Sequence, residues 1–154
     1  MSVQDSLHQI ESLPCHDFKL VAGASLILYF GSVEPPFTIA EWRLHIDSAW
    51  RLDGVDGPLL GSFDTLDCER QGEPTTDRCL SFLRSLVGRR LLAAAYSPPA
   101  GDLTLEFEGG STLRTFAHAT EGDAWELRHR SGRRYGLCDC TYREWQEDAD
   151  EPHA

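Results

Sequence analysis

The sequence predicts an α+β domain made of two tandem pseudo-repeats, each a short helix followed by an antiparallel β-meander, around one shared core. Three observations carry this expectation. Short runs alternate apolar and polar residues between glycine, proline or acidic turns, the period-two pattern of half-buried strands. Two other stretches space their leucines for a helix instead. The order of these patterns in the first half recurs in the second.

Asp5 is the expected cap of a first helix in which Leu7, Ile10 and Leu13 form one stripe, closed by Pro14. Phe18 to Val21 reads as a strand ending at Gly23. In the next strand Leu26, Leu28 and Phe30 share one face, while Ile27 and Tyr29 make the other face apolar too. A strand apolar on both faces needs an outer cover, which one of the helices or another chain would supply. Val33 to Pro36 is irregular, because proline cannot donate to a central ladder. Trp42, Leu44 and Ile46 share the face of the following strand. Trp50 to Leu52, the turn from Asp53 to Gly57, and Pro58 to Phe63 form a closing hairpin.

A polar, turn-rich linker occupies about 65–76. Asp77 then caps a helix carrying Leu80, Leu83, Leu86 and Val87, with Gly88 as its stop. Leu91 to Ala95 is a strand, and Pro98 to Gly101 turns into the second meander. Its strands are Leu103 to Phe107, Leu113 to Ala117, Ala124 to Leu127 and Tyr135 to Cys140. Gly109-Gly110, Glu121 to Asp123 and Ser131-Gly132 are the intervening turns.

Set side by side, Leu7, Ile10, Ser12 and Leu13 fall on Leu80, Leu83, Ser85 and Leu86, and Phe18 and Ala22 on Leu91 and Ala95. Leu26, Leu28 and Phe30 fall on Leu103, Leu105 and Phe107, and Ala49-Trp50-Arg51-Leu52 on Ala124-Trp125-Glu126-Leu127. The single domain 1–154 thus divides into unit A at about 5–64, the linker, unit B at about 77–141 and an acidic tail at 144–154. Two such copies are too few for a solenoid and suit a pseudo-twofold core.

Aspartate and glutamate number 25 against 14 lysines and arginines, giving a net charge of −11 and a pI near 4.8. That balance lacks the basic footprint of a nucleic-acid binder and would steer the protein toward basic partners. No apolar run reaches the ~18 residues of a membrane span. The N-terminal stretch lacks a secretion signal, so the cytoplasm is the expected compartment. Five cysteines without paired spacings suit reduced thiols there.

Candidate chemistry is sparse. Cys138 and Cys140 would share one face of a strand, and Cys15-His16, Cys68 or Cys79 could complete a metal site, but no spaced ligand pair is present and no metal or cofactor is expected. His118 with Asp123 and Glu106 could form an acid/base set; Glu106 and Glu108 lie on the hydrophilic phase of their strand, and no catalytic residue is assigned. Trp42, Trp50 and Trp125 sit at core positions. Arg128, Arg130, Arg133 and Arg134 read as a solvated hairpin tip. The tail offers Trp145 as an aromatic anchor among Glu147, Asp148, Asp150 and Glu151, the residues expected to meet a partner.

The runs from Trp50 to Asp64 (WRLDG…LLGSFD) and from Gly101 to Leu127 (GDLTLEFEGGSTLRTF…WEL) resemble small bacterial proteins of the immunity or accessory type found around polymorphic toxins. The likeness covers about half the chain and rests on core and turn residues. It implies a non-enzymatic protein that neutralises a cognate toxin by occluding its basic active-site cleft. The alternative is a homodimeric small-ligand-binding or structural domain with a cavity between the two units; a minor enzyme using His118 is a third reading.

Overall fold

The structure is a computed structural model that describes residues 2–21, 24–65, 77–116 and 123–147. In chain order these form α1 (Val3–His8), β1 (Cys15–Val21), β2 (Ser25–Phe30), β3 (Trp42–Ile46), β4 (Ala49–Gly54) and β5 (Gly57–Gly61). They continue with α2 (Asp77–Arg84), β6 (Leu91–Ser97), β7 (Asp102–Phe107), β8 (Thr112–Phe116), β9 (Asp123–His129), β10 (Arg133–Cys138) and β11 (Thr141–Gln146). No helix among the described residues is long and apolar enough to cross a membrane.

The strands make two antiparallel sheets, one of six in the order β1-β2-β3-β9-β10-β11 and one of five in the order β5-β4-β8-β7-β6. The alternating apolar residues of both face a single core, where the Phe30 and Phe107 rings stack with centroids 6.3 Å apart. Few helices and two antiparallel sheets are the α+β class the pattern predicted.

The expected continuous meanders do not form. The chain changes sheets between β3 and β4, and β8 and β9 likewise lie in different sheets. At the first crossing the amides of Asp47 and Ser48 both donate to the Ala124 carbonyl, at 3.0 and 3.1 Å. Alternation tells which face of a strand is apolar and says nothing of which strand lies beside it.

The orders β1-β2-β3-β9-β10 and β6-β7-β8-β4-β5 correspond strand for strand, with β11 left over. Hydrogen bonds follow the same correspondence. The Trp50 indole donates to Ala24 O at 2.8 Å and the Trp125 indole to Gly101 O at 3.1 Å, each acceptor being the left-handed residue just before β2 or β7. Cys15 faces Phe30 and Leu91 faces Phe107, each followed by a bulge. Leu7 and Ile10 therefore correspond to Leu83 and Leu86, matching the Ile10 N–Leu7 O and Leu86 N–Leu83 O bonds. Likewise Cys15 rather than Phe18 answers to Leu91. Matched by strand pairing, the helices sit three residues away from the side-by-side alignment, a shift that an amphipathic stripe repeating every three to four residues tolerates.

Other expectations are adjusted locally. Ser2, not Asp5, caps α1; Ser2 Oγ accepts from the Asp5 amide, and Asp5 Oδ2 accepts from the Ser2 amide, a reciprocal capping box. Gly88 does take the left-handed conformation after α2. Tyr29 shares a cavity with Val33, Thr38 and Ile39 of the loop between β2 and β3. Residues 66–76 of the linker lie outside the described residues.

The segments following the two helices pair with one another. Ser12 N donates to Leu91 O at 2.7 Å and Leu91 N to Leu13 O at 3.0 Å, with Cys15 N to Arg89 O and Gly88 N to Cys15 O both at 2.8 Å. Gln4 and Glu11 close the outer edge of β6: Gln4 Nε2 donates to Ala94 O, while the amides of Tyr96 and Ala94 donate to Gln4 Oε1 and Glu11 Oε1. Such side-chain capping blunts an edge that would otherwise template another strand.

Gly101 combines a left-handed φ of +85° with a position where an added Cβ would collide with the Leu137 side chain and crowd Tyr96. Gly101→Ala should therefore lower stability by about 2–4 kcal/mol in urea denaturation. Gly88→Ala, strained but open to solvent, should cost only about 1 kcal/mol.

Candidate functional site

The outer face of the six-stranded sheet carries a cationic row. Register places Tyr29 opposite Arg43, Arg43 opposite Arg128, Arg128 opposite Arg134, and Arg134 opposite Trp145. Residues paired this way point to the same face. The corresponding positions of the five-stranded sheet are Glu106, Thr112 and Asp53 in place of Tyr29, Arg43 and Arg128. The fold itself therefore does not demand arginines here. Like charges on adjacent strands repel, so counter-charges are needed.

Glu126 and Glu147 supply them. Arg134 grips Glu126 with two hydrogen bonds, Nε to Oε1 at 3.0 Å and Nη2 to Oε2 at 2.6 Å, and also pairs with Glu147. Glu147 lies 3.9 Å from Arg128 Nη1 as well. The bond to Glu126, together with the two nearby carboxylates, raises the Arg134 pKa above its already high value. Its guanidinium lies over the Trp145 ring at 4.9 Å. Gly136 makes this possible: a Cβ there would meet Trp125 O at 2.9 Å and the Trp145 ring at 3.3 Å.

The four arginines read as one solvated tip are in fact dispersed. Arg128 and Arg134 are half-buried on the sheet face, Arg130 stacks on Phe37 at 4.0 Å, and Arg133 is exposed at the start of β10. The turn itself is tied by His129, whose Nδ1 bonds Ser131 Oγ at 2.7 Å while its ring meets Trp42 edge-on at 4.6 Å. Burial lowers the His129 pKa below 6.5, with Glu41 at 3.7 Å opposing the shift.

Of the residues expected to meet a partner, Trp145 and Glu147 belong to this cluster, and Asp148, Asp150 and Glu151 lie outside the described residues. The acidic tail does not begin at Glu144 as a loose end, since Glu144, Trp145 and Gln146 are part of β11. That strand was illegible because its aromatic residues, Tyr142 and Trp145, fall on opposite faces and give no clean alternation. The arginine row had a faint signal: Arg128 and Arg134 each occupy the polar phase beside Leu127 and Tyr135.

Asp139 and Cys140 both have positive φ, 49° and 59°, and form the two-residue turn between β10 and β11. Cys138 and Cys140 therefore do not share a strand face. A hydrogen bond to Asp123 pushes the Cys138 thiol up to about 11, and burial pushes Cys15 up to about 12. Among the described residues no cluster of three or more histidines, cysteines and carboxylates is placed to hold a metal. Glu106 and Asp123 stand in different sheets, and His118 lies outside the described residues.

A cavity of about 330 Å³ is lined by His16 to Lys19, Tyr29 and the loop residues Val33 and Thr38 to Ala40. All of these belong to unit A, so this cavity does not lie between the two units.

No family model, curated protein or solved structure matches this chain.

Two measurements check this geometry. Arg134→Gln leaves Glu126, whose side chain is 14% exposed, without its cation and should cost about 1–3 kcal/mol; adding Glu126→Gln should recover part of that loss. With His129 depressed, the unfolded chain binds more protons as pH falls below 6.5. Stability should then drop from about pH 7 downward through that pKa, and the drop should shrink in His129→Gln.

Proposed function

We propose that this protein is a non-enzymatic binding protein of the immunity type, which neutralises a cognate bacterial toxin by lying over its basic active-site cleft. The observation that carries the reading is the net charge of −11, set against how the described arginines are used. Arg51 and Arg114 share Asp53, and Arg134 is taken up by Glu126 and Glu147. The acidic excess is thus available to a partner, and complementary charge speeds encounter and fixes orientation. The resemblance of Trp50 to Asp64 and Gly101 to Leu127 to immunity-type proteins points the same way, as does Trp145 as an aromatic anchor beside Glu147.

We also infer that the two units arose by duplication within the chain. Matching strand orders, paired bulges and the two indole bonds from Trp50 and Trp125 support this, beyond the repeated Ala-Trp-x-Leu.

An affinity-tagged copy purified from its native bacterium at low salt should retain one basic protein in near-equal amount. Raising salt from about 0.05 to 0.5 M should weaken that complex tenfold or more, mostly by slowing association. The partner should be toxic when expressed alone and harmless when co-expressed. An acidic partner, or one whose toxicity persists, would overturn the reading.

A further inference from the structure

We propose that the cavity between β1 and the loop joining β2 to β3 binds a free α-amino acid with an apolar side chain. The correspondence of the two sheets singles this place out. Asp17 and Lys19 pair with Tyr29 and Ile27 at the register where Ala93 and Ala95 of β6 pair with Glu106 and Thr104. The loop after β2 runs over residues 31–41, whereas the corresponding turn after β7 takes only residues 108–111. The fold thus requires neither the two charges nor the long loop, and both border the same cavity of about 330 Å³. That volume lies at the lower end of the roughly 300–1,000 Å³ typical of small-ligand pockets.

The lining says which ligand. Asp17, Lys19 and Tyr29 share one face of the sheet by register and alternation. Lys19 is the only lysine in a chain of net charge −11, yet it carries no carboxylate partner among the described residues. Asp17 is held by one oxygen, Oδ1 accepting from the Phe18 amide at 2.8 Å, and forms no ion pair with Lys19. Two residues apart on a strand, these charges start from α-carbons about 7 Å apart. An ammonium and a carboxylate borne on one carbon bridge a gap of that order, with a charge-assisted hydrogen bond of about 2.8 Å at either end. A simple acid would bring its charge beside Asp17, and a simple amine would bring its charge beside Lys19. Val33, Ile39 and Ala40 line the loop side of the cavity and offer an apolar side chain its contact. This inference concerns a small ligand and does not depend on a toxin.

Three probes with the same side chain test it by titration into isotope-labelled full-length protein: L-leucine, isocaproate, which lacks the amine, and isoamylamine, which lacks the carboxylate. Leucine should bind about tenfold more tightly than either, and glycine should bind more weakly than leucine. The amide shifts should centre on the cavity lining, residues 16–19, 29 and 38–40. Asp17→Asn should bring leucine and isocaproate to similar affinity, and Lys19→Gln should do the same for leucine and isoamylamine. Both side chains are exposed, so both variants should melt at the wild-type temperature. Equal binding of the three probes, binding of none, tighter binding of the acid or the amine, glycine binding as tightly as leucine, or shifts centred elsewhere would each overturn the proposal.

Discussion

Neither half of the chain can complete a sheet from its own strands. β1 to β3 are extended by β9 and β10 from the other half, and β6 to β8 by β4 and β5. The exchange is tied at its centre by the antiparallel pairing of residues 12–15 with 88–91 and by the Phe30–Phe107 stack. Breaking that exchange would expose the buried faces of both sheets at once, so the two units share one stability. The two pairings that join the halves, β3 with β9 and β4 with β8, link residues far apart in sequence, and contacts of that kind are expected to form slowly.

The same exchange arranges the surfaces. Because the sheets correspond strand for strand, differences between their outer faces are differences in side chains alone. One face sets Tyr29, Arg43 and Arg128 in a row; the other places Glu106, Thr112 and Asp53 there. In a chain so rich in acid, concentrating arginines on one face works against stability unless carboxylates are interleaved, and Glu126 and Glu147 are the carboxylates found there. The row, the Trp145 ring over Gly136 and the edge of β11 adjoin one another. Whatever meets this face meets a row of arginines whose charge Glu126 and Glu147 already balance in part.

Much of the fold was legible in residues that report on their own neighbourhood. The period-two runs located β2, β3, β4 and β7, with Trp42, Trp50 and Trp125 correctly placed in the core. Gly88, Gly109 and Gly110 marked positions of positive φ. The candidate site was less legible. Arg43 is remote in sequence from Arg128 and Arg134, and nothing local relates them until β3 is seated against β9.

The sequence alone determined which residues are apolar on which phase of each strand, where the turns fall, and the net charge, because these depend on side chains and short-range geometry. Tertiary structure alone decided strand partnership, the crossing of the chain between the two sheets, the gathering of arginines into one row and the placing of Glu144 to Gln146 in β11. Those features depend on which surfaces close against each other. A strand with one apolar face fits many partners equally well until the whole core is assembled.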